Sequence, residues 1–175
     1  NCYTGPEGFL TTHQVAEEVG SLLDFGAIDV VVCSTGLIGL TNDRDVLLSG
    51  VRTVHGLLSP EGGQAAAEAI MTTDTVSKQV VVEGDGWSIG GMAKGAGMLA
   101  PALATMLVVI TTDALVPAAD LDLALRAAAR VSFDRLDSDG CQSTNDTVTV
   151  LASGASGVTP EAPAFAAALT EVCTS

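Results

Sequence analysis

The residues best suited to chemistry lie between Gly90 and Asp113, GGMAKGAGMLAPALATMLVVITTD. Four glycines fall within the eight residues Gly90 to Gly97, and they enclose Lys94, one of only two lysines in a chain of formal charge −14. Glycines let a backbone bend close to a ligand, and an ammonium on such a bend can bind a carboxylate. Thr105 opens the apolar run that follows. Composition alone also allows a plainer reading, a flexible glycine loop with a solvated lysine and a threonine that is simply a good strand former. A second candidate is the turn Ser34-Thr35-Gly36, which follows a β-branched run. Ordinary strand-ending turns have the same composition. The familiar nucleophile and phosphate signatures (GxSxG, HExxH, the P-loop, a dinucleotide fingerprint in a strand-to-helix context) are absent. His13 and His55 fall on predicted helices, away from any Ser or Cys nucleophile, and read as surface or capping residues. No set of side chains has metal-ligand spacing, so no metal is expected.

The elements that must carry these residues are legible from periodicity. Thr11 to Gln14 reads as a capping box, and Val15, Val19 and Leu22 then predict an amphipathic helix over 12–23. Residues 28–33 (IDVVVC) predict a short buried strand. A helix is expected over 45–58, and another over 64–71 (QAAAEAIM) ends at Thr72-Thr73-Asp74. Val80 to Glu83, Gly84-Asp85-Gly86 and Trp87 to Ile89 form a strand, turn and strand, hence a hairpin. Thr105 to Thr112 predicts a strand buried on both faces. Pro117 marks N1 of a helix with Leu121, Leu125 and Ala128 on one stripe, 147–151 is a further strand, and 163–173 a closing helix. Strands and helices mix throughout with neither repeat nor linker, so the class is α/β or α+β in layers.

The chain has 175 residues, 47% apolar and 16% charged, which implies a folded domain rather than a disordered tail. Its acidity argues against nucleic acid and anionic lipid as partners. The longest apolar neighbourhood, Met98 to Ile110, is interrupted by Pro101 and Thr105 and falls short of the roughly 20 residues of a membrane span. Cys2, Cys33, Cys141 and Cys173 are scattered without a CxxC pair and read as reduced, mostly buried thiols of a cytoplasmic protein.

Five separated motifs, in collinear order over essentially the whole chain, resemble one family. They are CYTGPEG (2–8), STGLIG (34–39), IMTTD (70–74), the central block GGMAKGAGML, PALATML and ITTDA (90–114), and STNDT (143–147). The sequence resembles the ornithine acetyltransferases, bifunctional glutamate N-acetyltransferases of the cyclic arginine pathway. The resemblance implies a helix-sheet-sheet-helix sandwich, incomplete at both ends in this stretch. It also implies a precursor cut between Ala104 and Thr105, so that residues 1–104 end an α chain and 105–175 begin a β chain, paired as α2β2. Thr105 would be the nucleophile and Thr35 (hydroxyl) and Gly36 (N–H) the oxyanion donors. Thr72, Lys94 and Thr105 would contact the substrates N-acetylornithine and glutamate. No cofactor is implied; acetyl-CoA remains open as an additional donor.

Elementary chemistry supports such a cut. Attack of the Thr105 hydroxyl on the Ala104 carbonyl turns an amide into an ester that water opens, freeing the Thr105 α-amine. With a reference pKa of about 7.7 to 8.0, that amine can act as base for its own hydroxyl at neutral pH. Two departures from the family pattern concern loops: residues 40–45 lack an expected proline-containing segment, and Cys141-Gln142 replaces a small polar pair. The family's downstream substrate-binding glutamate and C-terminal polar residues have no counterpart in these 175 residues, so part of the apolar surface is expected to face further neighbours. Two rival readings are an amidase or aminopeptidase with a self-generated N-terminal nucleophile, and an inert structural piece.

Overall fold

The structure, a computed structural model, describes residues 2–101 and 103–175, and the side chains of all of these but Leu103 and Ala104. Two compact units are present, Asn1–Gly62 and Gly63–Ser175.

In the first unit, α1 spans Gly5–Leu23 and α2 spans Arg44–His55. Helix α1 begins well before the expected residue 12 because Pro6 suits the first turn. Thr11 and Thr12 therefore do not form a capping box. Their hydroxyls donate to the carbonyls of Glu7 (2.9 Å) and Gly8 (3.0 Å), one turn back inside the helix. Asp24, left-handed at φ 58°, ends the helix. Helix α2 is capped by Asp43, whose carboxylate accepts from the amides of Asp45 and Val46. Arg44 pairs with Glu7 at 2.9 Å and Arg52 with Glu18 at 2.6 Å, tying the two helices at the surface. The strand expected over 28–33 does not form: Ala27–Asp29 is a single 3-10 turn, and residues 30–36 have no regular structure. A strand needs a ladder to join. Among its described residues the first unit contains no other strand, so β-branched composition had nothing to pair with.

The second unit is built on a sheet of order β1-β2-β5-β6: β1 Lys78–Glu83, β2 Ser88–Lys94, β5 Leu107–Thr112 and β6 Thr147–Ala152. Strands β1, β2 and β5 are antiparallel neighbours, and β6 runs parallel to β5. The expected hairpin closes where the Gly84 amide donates to Trp87 O at 2.7 Å, with Gly86 at φ 78°. It is longer than its composition suggested, because Gly90, Gly91 and Lys94 are strand residues and not a flexible loop. Between β2 and β5 the chain forms a small ribbon of β3 (Leu99–Ala100) and β4 (Leu103–Ala104). Helix α3 (Gly63–Ala69) precedes the sheet, α4 (Ala118–Val131) follows β5, and α5 (Ala162–Thr174) closes the unit. Pro117 is the residue before α4 rather than its first position.

Strand alternation sorts the sheet into two faces. Ile89, Val108 and Ile110, with Val80, Val82, Val148 and Val150, face α5 and α4, where Phe165, Leu169, Leu121 and Ala128 complete the core. Gly91 allows this approach, since a Cβ there would meet Val172 Cγ1 at 2.9 Å. The α/β class read from the sequence therefore holds. Ile110 is fully buried at the centre, so Ile110→Ala should lower stability by about 2–5 kcal/mol, read as a shifted urea midpoint at unchanged slope.

Candidate active site

Pairing of β2 with β5 sets Lys94 opposite Leu107, so the intervening residues leave the sheet and return within one strand spacing. Thr105 lies just before the return. Its amide donates to Met98 O at 2.7 Å and its hydroxyl donates to the same oxygen at 3.2 Å. One carbonyl thus holds both groups that an N-terminal nucleophile would use.

Lys94, at the end of β2, is 1% exposed, which overturns the solvated-lysine reading. Its ammonium donates to Thr105 O at 3.2 Å. Burial pushes the ammonium below its usual pKa; the carboxylates of Asp74 and Asp146 pull it back up, and Lys78 adds to the depression. Asp146 also accepts from the Met106 amide at 3.4 Å, while its other oxygen is buried and accepts no hydrogen bond among the described residues. A cavity of about 670 Å³ is lined by Lys78, Lys94, Gly95, Met106, Val108 and Phe133 among others.

Thr72 reaches this neighbourhood through Asp74. The Asp74 carboxylate accepts from the amides of Thr72 (3.3 Å) and Gly95 (2.7 Å) and from the Lys78 ammonium, which links the segment after α3 to the residue next to Lys94. Burial by itself would raise the Asp74 pKa. The Lys78 ammonium and the two amides outweigh it and bring the carboxyl from 3.8 down to about 2. Sequence reasoning singled out Thr72 and Lys94 but missed the aspartate that joins them, although Asp74 stands inside the IMTTD motif.

Thr35 and Gly36 belong to the first unit, in the irregular segment after the 3-10 turn. Thr35 is half-buried and Gly36 exposed, and the segment closes with Leu40 N donating to Leu37 O at 3.2 Å and Gly39 N to Cys2 O at 2.9 Å. Ala104 ends β4, immediately before Thr105. The histidines match their plain reading: His13 packs against Phe9 with the rings tilted and contacts its carbonyl, and His55 closes α2. All four cysteines are free, but only Cys173 is buried, its thiol pushed up to about 11 by that burial. No metal-ligating cluster and no helix long and apolar enough to cross a membrane occurs among the described residues.

The Asp74 shift carries a pH dependence. A carboxylate whose pKa is lower folded than unfolded stabilises the fold above the unfolded value and loses that contribution as pH falls. Between pH 3.8 and about 2 the second unit should lose on the order of 2 kcal/mol from this group. Urea unfolding at pH 5 and at pH 2.5 reads the difference, and Asp74→Asn should flatten it.

The sequence model of the ArgJ family matches residues 1–175. Curated relatives named arginine biosynthesis bifunctional protein ArgJ are 63% identical in Streptomyces coelicolor and 61% in Streptomyces avermitilis, each over 173 residues. The relative from Mycolicibacterium paratuberculosis is 56% identical over 183 aligned residues. In each case the match takes in 99% of this chain and 45% of the relative, so the chain spans a little under half the length of these proteins. A match over its full length, at more than half identity to these relatives, makes this chain a member of the ArgJ family.

Proposed function

We propose that the protein carrying this chain moves an acetyl group from N-acetylornithine to glutamate, through an acetyl ester on Thr105, after cutting itself between Ala104 and Thr105. The observation that carries this reading is the Met98 carbonyl, which gathers the amide and hydroxyl of Thr105, with the buried Lys94 ammonium on the Thr105 carbonyl. Membership in the ArgJ family and the relatives' printed names support it.

In the first stage the Thr105 hydroxyl adds to the Ala104 carbonyl carbon and the C–N bond breaks. Water then opens the ester, leaving an Ala104 carboxylate and a Thr105 amine. In the second, that amine takes the hydroxyl proton while Oγ1 adds to the acetyl carbonyl of N-acetylornithine, and the proton passes to the departing ornithine amine. The amine of glutamate then attacks the ester and carries the acetyl group away. Each step builds negative charge on an oxygen, the role assigned to the Thr35 hydroxyl and Gly36 N–H. Lys94 pairs with a substrate carboxylate and Thr72 adds a hydrogen bond. No cofactor takes part, and acetyl-CoA is at most an additional donor. Residues 1–104 and 105–175 belong to two mature chains, and the β2–β5 ladder, which crosses the cut with six residue pairs, would hold them together. An α2β2 assembly in the cytoplasm completes the reading.

Intact-mass analysis of the complete protein tests it. The wild type should yield a chain beginning at Thr105 that gains 42 Da, the mass of an acetyl group, on mixing with N-acetylornithine. Thr105→Ala should stay uncut and unacetylated. Cleavage or acetylation that survives this substitution would remove Thr105 from the chemistry. Hydrolysis of amino-acid amides without transfer to glutamate would favour an amidase instead.

A further inference from the structure

Met98, whose carbonyl holds Thr105, is at φ 55°, a left-handed conformation that side chains other than glycine, Asn and Asp seldom adopt. The adjacent Gly97 could take up such a bend without cost, yet the left-handed residue is the methionine. Something must hold it there, and the supports come from the other side of the proposed cut. The Met98 amide donates to Asp139 Oδ2 at 2.9 Å. The next residue is fixed in both directions, with Ser138 N donating to Leu99 O at 2.8 Å and Leu99 N donating to Ser138 Oγ at 3.4 Å. Asp139 is itself braced, its other oxygen accepting from the Cys141 amide at 3.0 Å.

The geometry points to Asp139 as a positioning residue for Thr105: it pins the Met98 peptide in its left-handed conformation, and the Met98 carbonyl then orients the nucleophile's hydroxyl and nitrogen. This rests on the proposed role of Thr105 and adds a residue that touches neither substrate nor scissile bond. A carbonyl that accepts the Thr105 hydroxyl proton directs the oxygen's lone pairs elsewhere, as attack requires. After the cut the same carbonyl remains an acceptor for the new amine. The role of Asp139 is therefore conformational, and a backbone that favours the left-handed region unaided should make it dispensable.

The test uses the complete protein and follows the appearance of the chain starting at Thr105, then kcat and KM for acetyl transfer by cut enzyme. Asp139→Ala should slow cleavage and lower kcat by about tenfold, the scale of a strained backbone that loses its support, with KM within about twofold. Adding Met98→Gly to Asp139→Ala should restore both rates to within about threefold of wild type, because glycine enters the left-handed region freely. Met98→Val alone, a β-branched residue at positive φ, should slow both. The proposal is overturned if Asp139→Ala cuts and turns over like the wild type. It is equally overturned if Met98→Gly fails to rescue an Asp139→Ala protein that keeps its wild-type melting temperature, or if KM rises while kcat holds. Failure of the acetyl-transfer reading shows separately, as cleavage or acetylation that persists in Thr105→Ala.

Discussion

The pairing of β2 with β5 is the constraint on which the rest of the second unit depends. Its register sets Ile89 against Thr112 and Lys94 against Leu107, so everything between Lys94 and Leu107 is a closed excursion whose two ends are adjacent. That closure brings Lys94 to the Thr105 carbonyl and turns a stretch of small residues into a site. It also sets the core: with Ile89 and Ile110 committed to one face, the helices α4 and α5 have a single apolar surface to cover, and Gly91 lets α5 approach it. A slip of β5 by one residue against β2 would turn Ile110 away from the face that holds Ile89 and move Lys94 off its carbonyl.

Charge is used around this excursion in an unusual way. The chain carries 21 acidic residues against seven lysines and arginines, yet several aspartates act at the site as acceptors for backbone amides. Asp74 takes Gly95 N and Thr72 N, Asp139 takes Met98 N, and Asp146 takes Met106 N. Loop backbones that would otherwise wander are thereby pinned on both sides of Thr105. The same negative charge makes a buried lysine tolerable, because Asp74 and Asp146 partly offset the desolvation of Lys94. Fold and electrostatics are therefore not separable here; Asp74 and Asp146, which shape the loop, also counter the depression of the Lys94 pKa by burial.

The first unit shows how far composition can mislead when its partner is not at hand. Residues 28–33 have strand composition, but Ile28 is 95% exposed and Val31 is 64% exposed, in a segment without regular structure. A β-branched run has a preference for the extended form and no means of satisfying its amides by itself, so the outcome rests on whether a ladder lies beside it. Helices do not share that dependence. Thus α2, expected over 45–58, forms over Arg44–His55, while the start of α1 was misplaced by threonines that bond back into the helix.

By itself the sequence determined the features whose interactions are local: the helices near 45–58, 64–71 and 163–173, the hairpin, the α/β class, and the strand expected over 105–112, which begins only at Leu107 and leaves Thr105 outside it. Its motifs also determined family membership, since identity of residue type in order is a linear property. Tertiary structure alone decided that Lys94 is buried, that the glycines of 90 and 91 belong to a strand, and that Asp74, Asp139 and Asp146 converge on one loop. The physical reason is range. A helix or turn is written in contacts a few residues apart, whereas Asp139 meets Met98 across 41 positions, a contact that exists only once the sheet has closed the excursion between them.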